Sequence, residues 1–240
     1  MRQTIQGIIL QNTKYQDKKN ILKIYTLQHG LQSYVIHVGH SKTSKIKPAH
    51  ILALNQVEFI EHSRKTREVQ KISEIHVTHV YEQIFSDLHK NCIAAFLNEV
   101  LLKSIKEQYT NPELYFFISG KLKELDETGA NVSNFHLHFL IELTKHLGFY
   151  PNNNYTEKFC LFDLQEGIFT DVVPLHPYYT DSETSFHLNK LITARASEKD
   201  VLFSGTVRSE LLKALVLFYR LHVPNFGEVR SIQVLKEVLA

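Results

Sequence analysis

The chain has 240 residues, 43% hydrophobic and 22% charged, with 27 basic side chains against 25 acidic ones. This composition argues against a disordered chain and supplies a core for one large or two modest domains. Two cysteines, Cys92 and Cys160, are too few for a disulfide framework and point to a reducing compartment.

No apolar run reaches the length of a membrane span, and the first residues lack the hydrophobic segment of a signal peptide. A cytoplasmic protein without membrane contact is expected. The net charge of +2 is unevenly spread. Up to Thr78 there are twelve Lys and Arg against five acids, whereas the remainder carries fifteen against twenty. Such a gradient suggests that the first third faces a polyanion.

From Thr4 to Val80 short strands alternate with polar turns. TIQGIILQ and NILKIYTL flank a turn expected over Asn12–Lys19. In the next strand Tyr34, Ile36 and Val38 share one face, and Gly39 opens a loop in which Lys42, Lys45 and Lys47 stand among Ser and Thr before Pro48. Leu52–Ile60 and Ile72–Val80 supply two more strands, separated by the basic cluster Arg64, Lys65, Arg67 and Lys71. Five short strands in about eighty residues fit a small closed barrel of the OB type.

At Tyr81 the apolar period becomes helical, running through Ile84, Leu88, Cys92, Phe96 and Val100 to about Gln108. Asn111-Pro112 caps a second helix, and a third runs from about Val132 to Leu147, closed by Gly148. A hairpin is expected around Gly167, between FCLFDL and GIFTDV, followed by helices capped at Ser182, over Val207–Leu221 and over Ser231–Leu239. The fold class is therefore α+β: a five-stranded OB barrel over residues 1–80, then a helical domain over 81–240 with a hairpin insertion at about 152–181.

Signatures of catalysis are absent: the sequence has no GxSxG, no P-loop, no GxGxxG and no HExxH among its fourteen histidines. The basic clusters carry more. Lys42, Lys45 and Lys47 from one loop, with Arg64, Lys65, Arg67 and Lys71 from another, can border a groove beside Tyr34 or Tyr25, which would stack on bases. Two rival readings stand beside this one, an OB module for RNA or protein and a histidine-dependent metal hydrolase.

The order of parts resembles the bacterial recombination mediator family RecO. The resemblance rests on GIILQNTKYQDKKNILKIYTLQHGLQSYVIHVGHSKTSKIK at 7–47, including the T-x-x-x-G turn Thr26–Gly30. It continues through LNEVLLKSIKE at 97–107, HLGFYP at 146–151 and the terminal YRLHVPNFGEVRSIQVLKEVL. It implies a non-enzymatic protein that binds single- and double-stranded DNA without sequence preference and anneals complementary strands. With the partner RecR, such proteins help load the RecA recombinase onto DNA covered by single-stranded DNA-binding protein.

One departure is visible. Family members often carry a four-cysteine zinc site after the third helix, but this chain has only Cys160 there, with His176 as a second donor. No zinc and no other cofactor is expected, and packing of Phe159, Phe162, Phe169 and Val172 should hold the hairpin instead.

Overall fold

The computed structural model describes residues 2–17, 19–39, 44–62, 69–106, 108–129, 131–194 and 203–239. Strand β1, Arg2–Gln16, pairs antiparallel along its first half with β4, Gln56–His62, and along its second half with β2, Lys19–Thr26. Gly7 belongs to both ladders, opposite Thr26 and Val57. A side chain there would collide with Ile24, so glycine lets β1 bend from one neighbour to the other. β3, Gly30–His37, runs antiparallel to β2 and parallel to β5, Gln70–His79, which returns against β4. The order β1-β2-β3-β5-β4 closes on itself, as expected for an OB barrel.

Inward residues such as Ile5, Ile9, Ile24, Ile36, Val57 and Phe59 are almost fully buried. Each contributes roughly 1.5–3 kcal/mol of transfer free energy. The β2–β3 turn explains the T-x-x-x-G pattern. The Thr26 hydroxyl accepts from His29 N at 3.0 Å and donates to Gly30 O at 2.9 Å, while Gly30 takes a φ of 65°.

Two expectations fail here. The turn expected over Asn12–Lys19 is mostly ladder, with Asn12 opposite Leu22 and Lys14 opposite Asn20. Polar composition marked these positions as solvated, and cross-strand pairing satisfied their backbone all the same. The helix expected from Tyr81 begins later: α1 spans Leu88–Ser104, capped by Asp87, whose carboxylate accepts from Lys90 N.

The residues before α1 are held by α2, Pro112–Glu127, which Asn111 caps through a bond from Leu114 N at 3.1 Å. Asp126 accepts from the backbone N–H groups of Glu82, Gln83 and Ile84 at 2.8–2.9 Å. Buried Lys90 donates to Asp126 O, Thr128 O and Gln83 Oε1, placing its charge at the negative end of α2. These bonds, with Gln56–Ser119 and Asn98–Leu10, bind α1 and α2 to the barrel. Strand gives way to helix between Val80 and Leu88, but the compact units are Met1–Thr128 and Gly129–Ala240.

The second unit contains α3 (Phe135–Leu147), a hairpin of β6 (Leu161–Asp163) and β7 (Ile168–Thr170), α4 (Ser182–Thr193), α5 (Gly205–His222) and α6 (Ile232–Val238). Gly148 ends α3 at a φ of 83°, and Asp181, not Ser182, caps α4. Tyr219 of α5 donates its buried hydroxyl to Leu140 O of α3 at 2.7 Å. Phe162 and Phe169 of the hairpin are buried and in ring contact, Phe162 also with Phe218 and Phe169 with Tyr155.

Val172, expected in that packing, is 69% exposed. Polar clamps replace it. Asn154 makes two 2.8 Å bonds to the Phe169 backbone, and Asp163 accepts from Gln165 N and Glu166 N across the turn.

Candidate nucleic-acid interface

The barrel wall formed by β2, β3 and β5 turns one face inward and one outward. Leu22, Ile24, Tyr34, Ile36 and Ile72 point in; Lys19, Lys23, Ser33, His37 and Lys71 alternate with them. Pairing sets the outward residues side by side: Lys19 opposite His37, Lys23 opposite Ser33, and Lys71 opposite Val35. Three lysines thus share one wall. Lys71 is among the residues expected from the sequence. Lys19 and Lys23 are not, because their proximity to β5 follows from closure, although the alternation of NILKIYT already turns Lys23 outward.

Beyond β3 the loop is pinched at its base by a bond from Gly39 N to Ile46 O at 3.0 Å. A side chain on Gly39 would run into Ser44, so this close approach requires glycine. Next to it lies a depression of about 440 Å³ lined by His37, Gly39, Ser44, Lys45 and Ser73. Its hydroxyls and ammonium suit an anion such as phosphate, beside the apolar lining of Val38, Ile46 and Ile72. Lys47 is exposed just past the depression, before a single 3-10 turn over Pro48–Ile51.

Lys45 is already engaged, in an ion pair with Glu74 of β5. An exposed pair of this kind is worth roughly 0–1 kcal/mol, and while it holds it keeps Lys45 from a phosphate. Glu74→Gln should therefore free Lys45, raising single-strand affinity about two- to fivefold at low salt and steepening the salt slope by about 0.7. A titration of a labelled oligonucleotide at four salt concentrations reads both; an unchanged slope removes Lys45 from the interface.

Lys42, Arg64, Lys65 and Arg67 lie outside the described residues. Tyr34 is corrected as a stacking residue. It is 1% exposed inside the barrel, with its ring edge-on to Phe59 at 4.9 Å. Its hydroxyl donates to Glu61 Oε2 at 3.3 Å, and burial, reinforced by that carboxylate, holds its pKa far above the usual tyrosine value. Tyr25 is likewise buried and bonded to Asn111 O. The alternation that makes Tyr34 a core residue outweighs its chemical suitability for stacking.

Among the described residues no three His, Cys, Asp or Glu side chains come close enough to hold a metal ion. His176 accepts from Tyr178 N at Nδ1 and faces Asp163 Oδ2 at 3.2 Å through Nε2, so both ring nitrogens are committed. No helix among the described residues is long and apolar enough to cross a membrane.

Against known proteins, the family described as Recombination protein O N terminal matches residues 1–81, and Recombination protein O C terminal matches 85–158. The chain is 32% identical over 243 residues to the DNA repair protein RecO of Phocaeicola vulgatus, covering all of both chains. The chain belongs to the RecO family. It is also 32% identical to the RecO protein of Flavobacterium johnsoniae and 33% identical to that of Flavobacterium psychrophilum, with 98% of each chain covered in both cases. Family membership accords with the OB barrel that comes first in the chain. The boundary between the two RecO matches falls at the segment that Asp126 clamps.

Proposed function

We propose that this chain is a DNA repair protein that acts as a recombination mediator without catalysing a reaction. It binds single- and double-stranded DNA through the phosphates and brings complementary strands together. With RecR it helps RecA replace single-stranded DNA-binding protein. The observation that carries this reading is the lysine wall of Lys19, Lys23 and Lys71 on an OB barrel, in a chain similar end to end to proteins named for DNA repair.

Annealing needs two polyanions side by side with their base edges free. Lysine suits that task, since it neutralises phosphate as a point charge on a flexible stem and carries little base preference. Sequence-independent binding follows, with affinity falling steeply as salt rises.

Annealing of complementary strands coated with the cognate single-stranded DNA-binding protein, with and without this chain and RecR, tests the reading directly. Acceleration is expected. No acceleration, or stronger binding to matched RNA than to DNA in competition, makes the chain a different kind of OB module. The triple variant Lys23→Ala, Lys47→Ala, Lys71→Ala should lower the single-strand salt slope by about 2, roughly 0.7 for each phosphate no longer neutralised. An unchanged slope would move the interface to another face.

A further inference from the structure

The barrel unit has a second cleft, of about 480 Å³, whose chemistry is opposite to that of the lysine wall. Among the described residues it is lined by five glutamines, Gln3, Gln28, Gln32, Gln70 and Gln108, and by no Lys or Arg. The one carboxylate among them is Glu61, 6% exposed and bonded by the Tyr34 hydroxyl. Tyr109 also lines the cleft and is 63% exposed.

The geometry points to a site for an unpaired nucleobase of single-stranded DNA, stacked on Tyr109 and held at its edge by the glutamine amides. This rests on the DNA-binding reading above and assigns the bases a place that reading left open.

The cleft is built and held. The Thr110 hydroxyl donates to Gln28 O at 2.7 Å and the Tyr25 hydroxyl donates to Asn111 O at 3.3 Å, clipping the segment that carries Tyr109 to the barrel. Two amides are fixed in direction: Gln28 Oε1 accepts from Gln6 N at 3.1 Å, and Gln32 Nε2 donates to His29 O at 2.8 Å. The first thereby offers its amide N–H and the second its carbonyl. A donor beside an acceptor meets part of the edge of every base, so each base can enter, with a modest ranking among them. Its volume falls within the roughly 300–1,000 Å³ typical of small-ligand clefts.

Phosphate is repelled by Glu61, which separates this site from the lysine wall. Glu61 accepts and never donates while ionised, so bases with an exocyclic amino group are held better than thymine.

The test compares Tyr109→Ala and Glu61→Gln with the unaltered full chain, using adenine, cytosine and thymine oligomers and an abasic oligomer of the same length. Tyr109→Ala should weaken binding of the base-bearing oligomers roughly tenfold, leave the abasic one unmoved and keep the salt slope. Glu61→Gln should narrow the preference for cytosine over thymine by roughly fivefold. Equal loss on abasic DNA, a changed slope, or no loss at all overturns the cleft while leaving DNA binding intact. An unaltered chain that binds no oligomer overturns both readings. Unmoved oligomer affinity together with weakened binding of an arginine-rich peptide in Glu61→Gln gives the cleft to a cationic partner instead.

Discussion

Asp126→Ala is expected to destabilise the barrel unit by about 2–4 kcal/mol, because it leaves the buried backbone N–H of Ile84 and the part-buried ones of Glu82 and Gln83 without their acceptor. Urea unfolding followed by the protection of α1 and α2 amides measures it, and a loss under 1 kcal/mol would show the clamp to be dispensable. Lys90→Met should cost less, since carbonyls at a helix end find water more readily than buried N–H groups do. The clamp also sets an acid limit. Burial alone would push the Asp126 carboxyl up, but the bonds from Glu82, Ile84 and Gln83, aided by His79, outweigh it and leave the pKa below the ordinary carboxylate value.

A carboxyl depressed in the folded state contributes stability above its unfolded pKa of about 3.9 and loses it as the pH falls through the folded value. The barrel unit should therefore hold its stability down to about pH 4 and weaken below it. Asp126→Ala abolishes that limb. At neutral pH and low temperature it should leave the salt slope for DNA unchanged, because Lys19, Lys23 and Lys71 lie on a wall that the clamp does not touch.

The second unit should fail earlier in acid. His136 of α3 is 2% exposed, and burial, with the charges of Arg208 and His138, lowers its pKa from 6.5 to about 3. The unfolded chain binds a proton here between pH 6.5 and 3 while the folded chain does not, so stability is complete above about 6.5 and falls as the pH drops. The full loss is on the order of 5 kcal/mol, with about 2 kcal/mol gone at pH 5. His136→Gln should flatten this limb. Unfolding free energies of α3 and α5, from hydrogen exchange corrected for intrinsic rates at pH 7.5, 6 and 5, decide it; equal pH slopes in both proteins would mean that His136 titrates normally.

Much of the architecture was legible in the residues. Alternation at Ile36 and Tyr34 marked the core face of β3, Thr26 and Gly30 marked its turn, and Asn111-Pro112 and Gly148 marked helix ends. These signals are local: a cap or a two-residue period is set by neighbours in the chain. Helix α1 was misplaced for the complementary reason. Residues 82–87 carry helical spacing, but Asp126, some forty positions away, captures the N–H groups of Glu82, Gln83 and Ile84 and holds this stretch outside the helix.

The candidate site divides in the same way. The positive excess of the first third and the outward lysine of NILKIYT are properties of the sequence by itself. Barrel closure decided which lysines meet, because β3 touches β5 only after the chain has travelled through β4, bringing Lys71 beside Lys19 and Lys23. The tyrosines divide likewise: the pleat alone turns Tyr34 inward, while Tyr109, in a short irregular segment with no period to declare it, is left exposed at a cleft. Side-chain type and spacing determine what each residue can do. Long-range pairing determines which of them act together, since contacts between distant strands leave no periodic trace in the order of the chain.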